Sequence, residues 1–160
     1  MEMDYRKALA DKKRIVIKIG TSSLTFPNGR LNLRRFEHIT NVISTLQQQG
    51  RQVVLVSSGA IAVGVGKMGY KKRPSTIPGK QAMAAIGQAI LAKIYRKFFD
   101  QHTIKVGQIL LTSDVITNVE KHKNAENTFA KLLEMGAVPI VNENDTVSTD
   151  EIEIGDNDTL

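Results

Sequence analysis

The stretch that decides the fold is QVVLVSSGAIAVG, residues 52–64. Gln52 to Val56 is a short aliphatic, β-branched run, which is the pattern of a strand buried on both faces. Ser57-Ser58-Gly59 interrupts it, and Ala60 onward opens a helix. Strand, small-residue turn and helix in immediate succession form the repeating unit of a parallel α/β sheet. The same grammar continues outward in both directions. RIVIKI (Arg14 to Ile19) reads as another buried strand and Gly20 ends it. Asn28-Gly29 is a turn signal. Asn32 is placed to cap a helix running through Gln49, with Phe36, Ile39, Val42, Ile43 and Leu46 at helical spacing, and Gly50 stops it. On the other side, Pro74 and Pro78 bracket a loop, and Gly79 to Asp100 is a long helix with Ala82, Ala85, Ile86, Ala89, Ile90 and Ile94 along one side. Lys105 to Leu111 reads as a third strand, Lys121 to Met135 as a helix closed by Gly136, and Ala137 to Val141 as a fourth strand. A polar loop follows, then a short strand around Glu151 to Ile154. The expected fold class is α/β, a three-layer αβα sandwich with a mainly parallel central sheet.

Composition narrows the function. The 160 residues suit one domain, and 41% hydrophobic with 24% charged residues suits a soluble globular one. With no cysteine, neither a disulfide framework nor a thiolate metal site can form. No apolar run approaches the roughly 20 residues that span a bilayer. Met1 to Arg14 is charged throughout, without the apolar stretch of a secretion signal, so the expected location is cytoplasmic. The net charge of +6 is uneven: Val141 to Leu160 holds seven acidic residues and no Lys or Arg. The basic residues of the remainder are scattered and lack an aromatic platform. They read as a solvated surface or an attraction for anionic substrates rather than as a nucleic-acid site.

In parallel α/β sheets ligands bind beyond the carboxyl ends of the strands, which selects four loops. In the first, Lys18 sits among Ile15, Val16, Ile17 and Ile19. A lysine at a strand end beside an accessible glycine can hold phosphate oxygens, as phosphoryl transfer requires. The alternative is a lysine on an exposed strand face or edge. In the second, Ser57-Ser58-Gly59-Ala60 meets a helix N-terminus, where free N–H groups attract anions, while Ser58 can also serve as the cap. The third is Leu111-Thr112-Ser113-Asp114. In the fourth, Asn142-Glu143-Asn144-Asp145 carries dense hydrogen-bonding capacity. Asp145 can receive an ammonium group, or the loop is an Asx-rich turn. Gly155-Asp156-Asn157-Asp158 also has several readings: its aspartates can bind Mg²⁺, orient a lysine or cap a helix. Gly64 to Gly69 matches G-x-G-x-x-G by letter only, being well past the strand and without an acidic residue about 20 positions on. Lys71-Lys72-Arg73 reads as a solvated loop. There is no P-loop, and His38, His102 and His122 are isolated.

Six stretches in series carry a resemblance: KIGTS (18–22), SSGAIAVG (57–64), KQAMAAIGQ (80–88), VGQILLT (106–112), PIVNEND (139–145) and GDNDTL (155–160). In order and spacing they resemble the amino acid kinase family, in its glutamate-phosphorylating branch. The resemblance implies phosphoryl transfer from ATP to the side-chain carboxylate of L-glutamate, giving an acyl phosphate that begins proline synthesis. It implies ATP with Mg²⁺, feedback inhibition by proline, and a homo-oligomer. It assigns Lys18 to the transferred phosphoryl group and Gly20, Thr21 and Ser22 to the ATP phosphates. Ser58, Asp145 and Asn157 match glutamate-binding positions, with Gly59, Ala60, Asn142 and Asp156 lining the same pocket. Asp158 matches an aspartate that orients catalytic lysines. Residues 1–13 would be a charged extension and 14–160 the glutamate-binding part of a kinase domain. The family's domain continues further, into an ATP-binding half and in some members a PUA domain. A truncated chain that binds glutamate or proline without turnover is therefore the alternative expectation. Glu153 stands where some relatives have lysine.

Overall fold

A computed structural model describes residues 10–28 and 30–148. Among these residues four strands form one sheet: β1 (Arg14–Ile19), β2 (Gln52–Ser57), β3 (Val106–Leu111) and β4 (Val138–Glu143). Their order is β1-β2-β4-β3 and every pairing is parallel. Six helices connect them: α1 (Thr21–Leu24), α2 (Leu33–Gln48), α3 (Ala60–Met68), α4 (Ile77–Asp100), α5 (Asp114–Thr117) and α6 (Val119–Glu134). The expected strand and helix positions stand, with ends shifted by one or two residues. Two short helices, α1 and α5, are additions, and Pro78 lies in the first turn of α4 rather than in a loop, where a proline forfeits no hydrogen bond. Asn32 caps α2 as expected, accepting from the Arg35 N–H. The expected strand near Glu151 lies outside the described residues.

The central strand β2 shows why this is a layered sandwich. Its alternate residues Val53 and Leu55 belong to one apolar cluster, with Phe36, Ile43, Leu91, Tyr95 and Phe99 from α2 and α4. Val54 and Val56 belong to a second cluster with Leu133 and Phe129 from α6. Side chains of a strand alternate between faces, so one strand feeds two cores only when helices cover both sides. No helix among the described residues is long and apolar enough to cross a membrane.

Two expectations need correction. β1 is not buried on both faces: its residues alternate between exposed and half-buried, and Val16 is 64% exposed. It is an edge strand among those described. Lys18 shares that open face with Val16 and is itself exposed, so the strand sequence overstated its burial. In α4 the expected stripe is also rotated. Ala82, Ala85 and Ala89 are exposed, Ile86, Ile90 and Ile94 are half-buried against the core, and Met83, Ala84, Gly87, Leu91, Tyr95 and Phe99 form the fully buried face. The reason is that α4 crosses α3 backbone to backbone. A Cβ on Gly64 would lie 2.0 Å from the Met83 carbonyl oxygen, and one on Gly87 would lie 1.7 Å from that of Ala60. A stripe drawn on large side chains cannot register a contact made by glycines.

Candidate functional site

The carboxyl ends of β1, β2 and β4 are neighbours, and the loops leaving them hold most of the predicted site residues. Ser57 ends β2, Ser58 follows it, and both are buried. Gly59 follows with φ of +94°, the left-handed region that glycine enters without a Cβ penalty, and it caps α3 without any side-chain hydrogen bond. Ser58 is therefore not the helix cap. Its hydroxyl donates instead to the Ile19 carbonyl at 3.1 Å and lies 3.4 Å from the Thr21 hydroxyl. A Cβ on Gly59 would stand 3.4 Å from the Thr21 methyl. The first and second loops thus touch, with Thr21 against Ser58 and Gly59, and α3 presents its N-terminal N–H groups beside them. Gly20 is extended and has no atom within 4 Å of where its Cβ would be, so its backbone stands open. Ser22 is exposed on the same short helix.

The fourth loop is more deeply set. Asn142, Glu143 and Asp145 are each at most 6% exposed. Asn142 holds the Glu143 N–H through its carbonyl oxygen at 2.9 Å and donates its amide to Gln88 of α4 at 2.8 Å. The Glu143 carboxylate accepts from the Ser148 hydroxyl, and the Asn144 N–H bonds the Leu111 carbonyl at 2.7 Å, tying the turn to β3. Beyond β3, Asp114 accepts from Thr112 and, at 2.5 Å, from Lys121. The Lys121 ammonium, then the Thr112 hydroxyl, hold the Asp114 carboxyl below its usual range.

The structure therefore brings together Gly20, Thr21, Ser58, Gly59, Ala60, Asn142 and Asp145 at adjacent strand ends. Lys18 is one residue before the end of β1, on the open face. Asp156, Asn157 and Asp158 lie outside the described residues. Sequence reading missed three polar residues that brace the site: Gln88, Glu143 as a buried group, and Tyr95, whose hydroxyl is 3.0 Å from that of Ser57. Gln88 and Tyr95 are seven residues apart, so both face the sheet from one side of α4. That spacing was available in the sequence, but the alanine and isoleucine stripe concealed it.

Ser-Gly, Asn and Asp gather at the carboxyl ends of a parallel α/β sheet, the place where such sheets bind ligands. The chain belongs to the amino acid kinase family, whose pattern matches residues 13–160. It is 55% identical over 159 residues to a glutamate 5-kinase of Clostridium perfringens, covering 97% of this chain and 59% of that protein. It is 48% identical to one of Moorella thermoacetica, covering 99% and 42% respectively. It is 50% identical to one of Clostridium acetobutylicum, covering 96% and 58%. The chain spans about half the length of the curated relatives it matches.

Proposed function

We propose that this chain is the glutamate-binding part of a glutamate 5-kinase. The observation that supports the reading best is that the Ser58-Gly59 and Asn142–Asp145 loops leave adjacent strands at the same end of the sheet, in a chain about half identical to proteins bearing that name. In this reading Ser58, Asp145 and Asn157 hold glutamate, and the buried Asp145 carboxylate receives its ammonium group. Gly59, Ala60, Asn142 and Asp156 line the pocket. Gly20, Thr21 and Ser22 approach the ATP phosphates through open backbone, and Lys18 contacts the transferred group. Asp158 orients lysines.

A side-chain carboxylate oxygen of glutamate forms a bond to the terminal phosphorus of ATP. The bond from that phosphorus to the bridging oxygen breaks, and the products are glutamyl 5-phosphate and ADP. Charge spreads over the phosphoryl oxygens in transit, so positive groups and N–H donors aimed at them lower the barrier. Mg²⁺ would accompany the nucleotide as its counter-ion. Among the described residues no group of three His, Asp or Glu comes together as a metal set, and no step is assigned through the ion. Cytoplasmic location, self-association and inhibition by proline belong to the same proposal.

The test is trapping of the acyl phosphate with hydroxylamine in the full-length protein. The expected result is γ-glutamyl hydroxamate that depends on both ATP and glutamate. Lys18→Ala should lower its rate by roughly a hundred-fold or more. A mutant of near-normal rate would remove Lys18 from the chemistry, and no hydroxamate from the wild type would remove the function.

A further inference from the structure

We propose that Gln88 of α4 is a positioning residue for the glutamate pocket, fixing the Asn142 amide and through it the turn from Asn142 to Asp145. The inference rests on the reading of that pocket given above. Asn142 is 1% exposed and is held from two sides. Its carbonyl oxygen takes the Glu143 N–H at 2.9 Å, and its amide nitrogen gives a hydrogen to the Gln88 side-chain oxygen at 2.8 Å. An asparagine bonded through both ends cannot turn over, because rotation by half a turn would face donor to donor and acceptor to acceptor. The Glu143 N–H sets which way the amide faces, and Gln88, 54 positions earlier on another element, secures its nitrogen end.

What holds Gln88 in place is the close crossing of α3 and α4. Gly87, its neighbour, sits against the Ala60 carbonyl, and Gly64 against that of Met83. The same crossing sets the start of α3, which follows Ser58 and Gly59. Seven residues on, Tyr95 meets Ser57 at 3.0 Å. One face of α4 thus contacts the carboxyl ends of both central strands, β4 through Gln88 and β2 through Tyr95. A hydrophobic side chain at position 88 would fill similar space and leave the Asn142 amide nitrogen buried without this acceptor.

The full-length protein carries the test. Gln88→Leu is expected to raise KM for glutamate roughly ten-fold, the effect of losing one buried side-chain hydrogen bond at a binding site, with KM for ATP unchanged. Gln88→Glu, which keeps the acceptor oxygen, should restore most of the lost affinity. Leu91→Val on the same helix face is the control for packing alone: it should lower the unfolding temperature without moving KM for glutamate. Side-chain amide exchange at Asn142, followed by NMR, should be slow in the wild type and faster in Gln88→Leu. If Gln88→Leu does not fold, Gln88→Met puts the same question with a closer shape. A Gln88→Leu protein that matches Leu91→Val, less stable but with unaltered glutamate KM, overturns the inference, as does failure of Gln88→Glu to restore binding. Failure of the underlying functional reading shows separately, as a wild-type protein that takes up no glutamate in calorimetry, and the inference falls with it.

Discussion

Replacing Gly87 with alanine adds one methyl group where α3 and α4 come closest, and the sign of the outcome is diagnostic. In a helix exposed to water the change would stabilise by about 1 kcal/mol, because alanine is the better helix former. Here the new Cβ would lie 1.7 Å from the Ala60 carbonyl oxygen, 2.6 Å from its carbon and 2.9 Å from the Gly64 nitrogen. All three are backbone atoms, so no flexible side chain can give way. An ordinary C···O contact is about 3.3 Å, so the helices must part by roughly 1.5 Å. The buried Ala60, Ile61, Val63, Met83 and Ala84 between them then lose dispersion contact, since a gap of 0.5–1 Å already forfeits about a quarter to a half of each well. Overpacking of this kind costs about 3 kcal/mol. Net of the propensity gain, the variant should lose about 2 kcal/mol. With a urea slope of about 2 kcal/mol/M, the midpoint falls by about 1 M, read by circular dichroism. Gly50→Ala separates sterics from backbone strain: its φ is +80° and nothing lies within 4 Å, so it should cost only the left-handed penalty of about 1 kcal/mol. A Gly87→Ala midpoint equal to or above that of the wild type would refute the helix crossing as described.

Three further outcomes are expected. Phe36→Ala empties a site at 0% exposure whose ring meets Tyr95 edge-on at 5.0 Å, and urea unfolding should show a loss of about 3–5 kcal/mol. Burial pushes the Tyr95 hydroxyl from 10.0 up to about 12, with the Ser57 hydrogen bond acting against that rise. Its contribution is full below pH 10, where the unfolded phenol also keeps its proton. It is lost as pH climbs through 12, about 2–3 kcal/mol in all. Stability measured against pH should fall in that window and fall less in Tyr95→Phe; equal curves would contradict it. Ser58→Ala removes the hydroxyl that reaches Ile19 and Thr21 and should weaken glutamate binding about ten-fold; calorimetry giving an unchanged Kd would count against a role for Ser58 in the pocket.

Much of this molecule was legible because its signals are local. QVVLVS and VPIVNE are continuous apolar runs that end in polar ones, and both are buried central strands. Asn32 and Gly50 bound α2 as their chemistry dictates, since a cap bonds its own first turn and needs no distant partner. The loops at the strand ends were locatable from chain order alone, because parallel sheets gather their carboxyl ends on one side. What was not legible depends on neighbours far along the chain. RIVIKI has the composition of a central strand, yet β1 lies at an edge and leaves Val16 and Lys18 on an open face. Ser58 has the position of a cap, yet its hydroxyl reaches back to Ile19. In α4 the expected stripe lies at the border of the buried face, its isoleucines half-buried and its alanines exposed, because two glycines let α3 approach closer than any side chain would. The sequence by itself determined the four strands, the longer helices, their order and the residue types at the strand ends. Only the tertiary structure decided which face each element buries and how Gln88, Tyr95 and Thr21 brace the site. Periodicity and capping act within a few residues, whereas close approach and buried hydrogen bonds exist only once distant segments have packed.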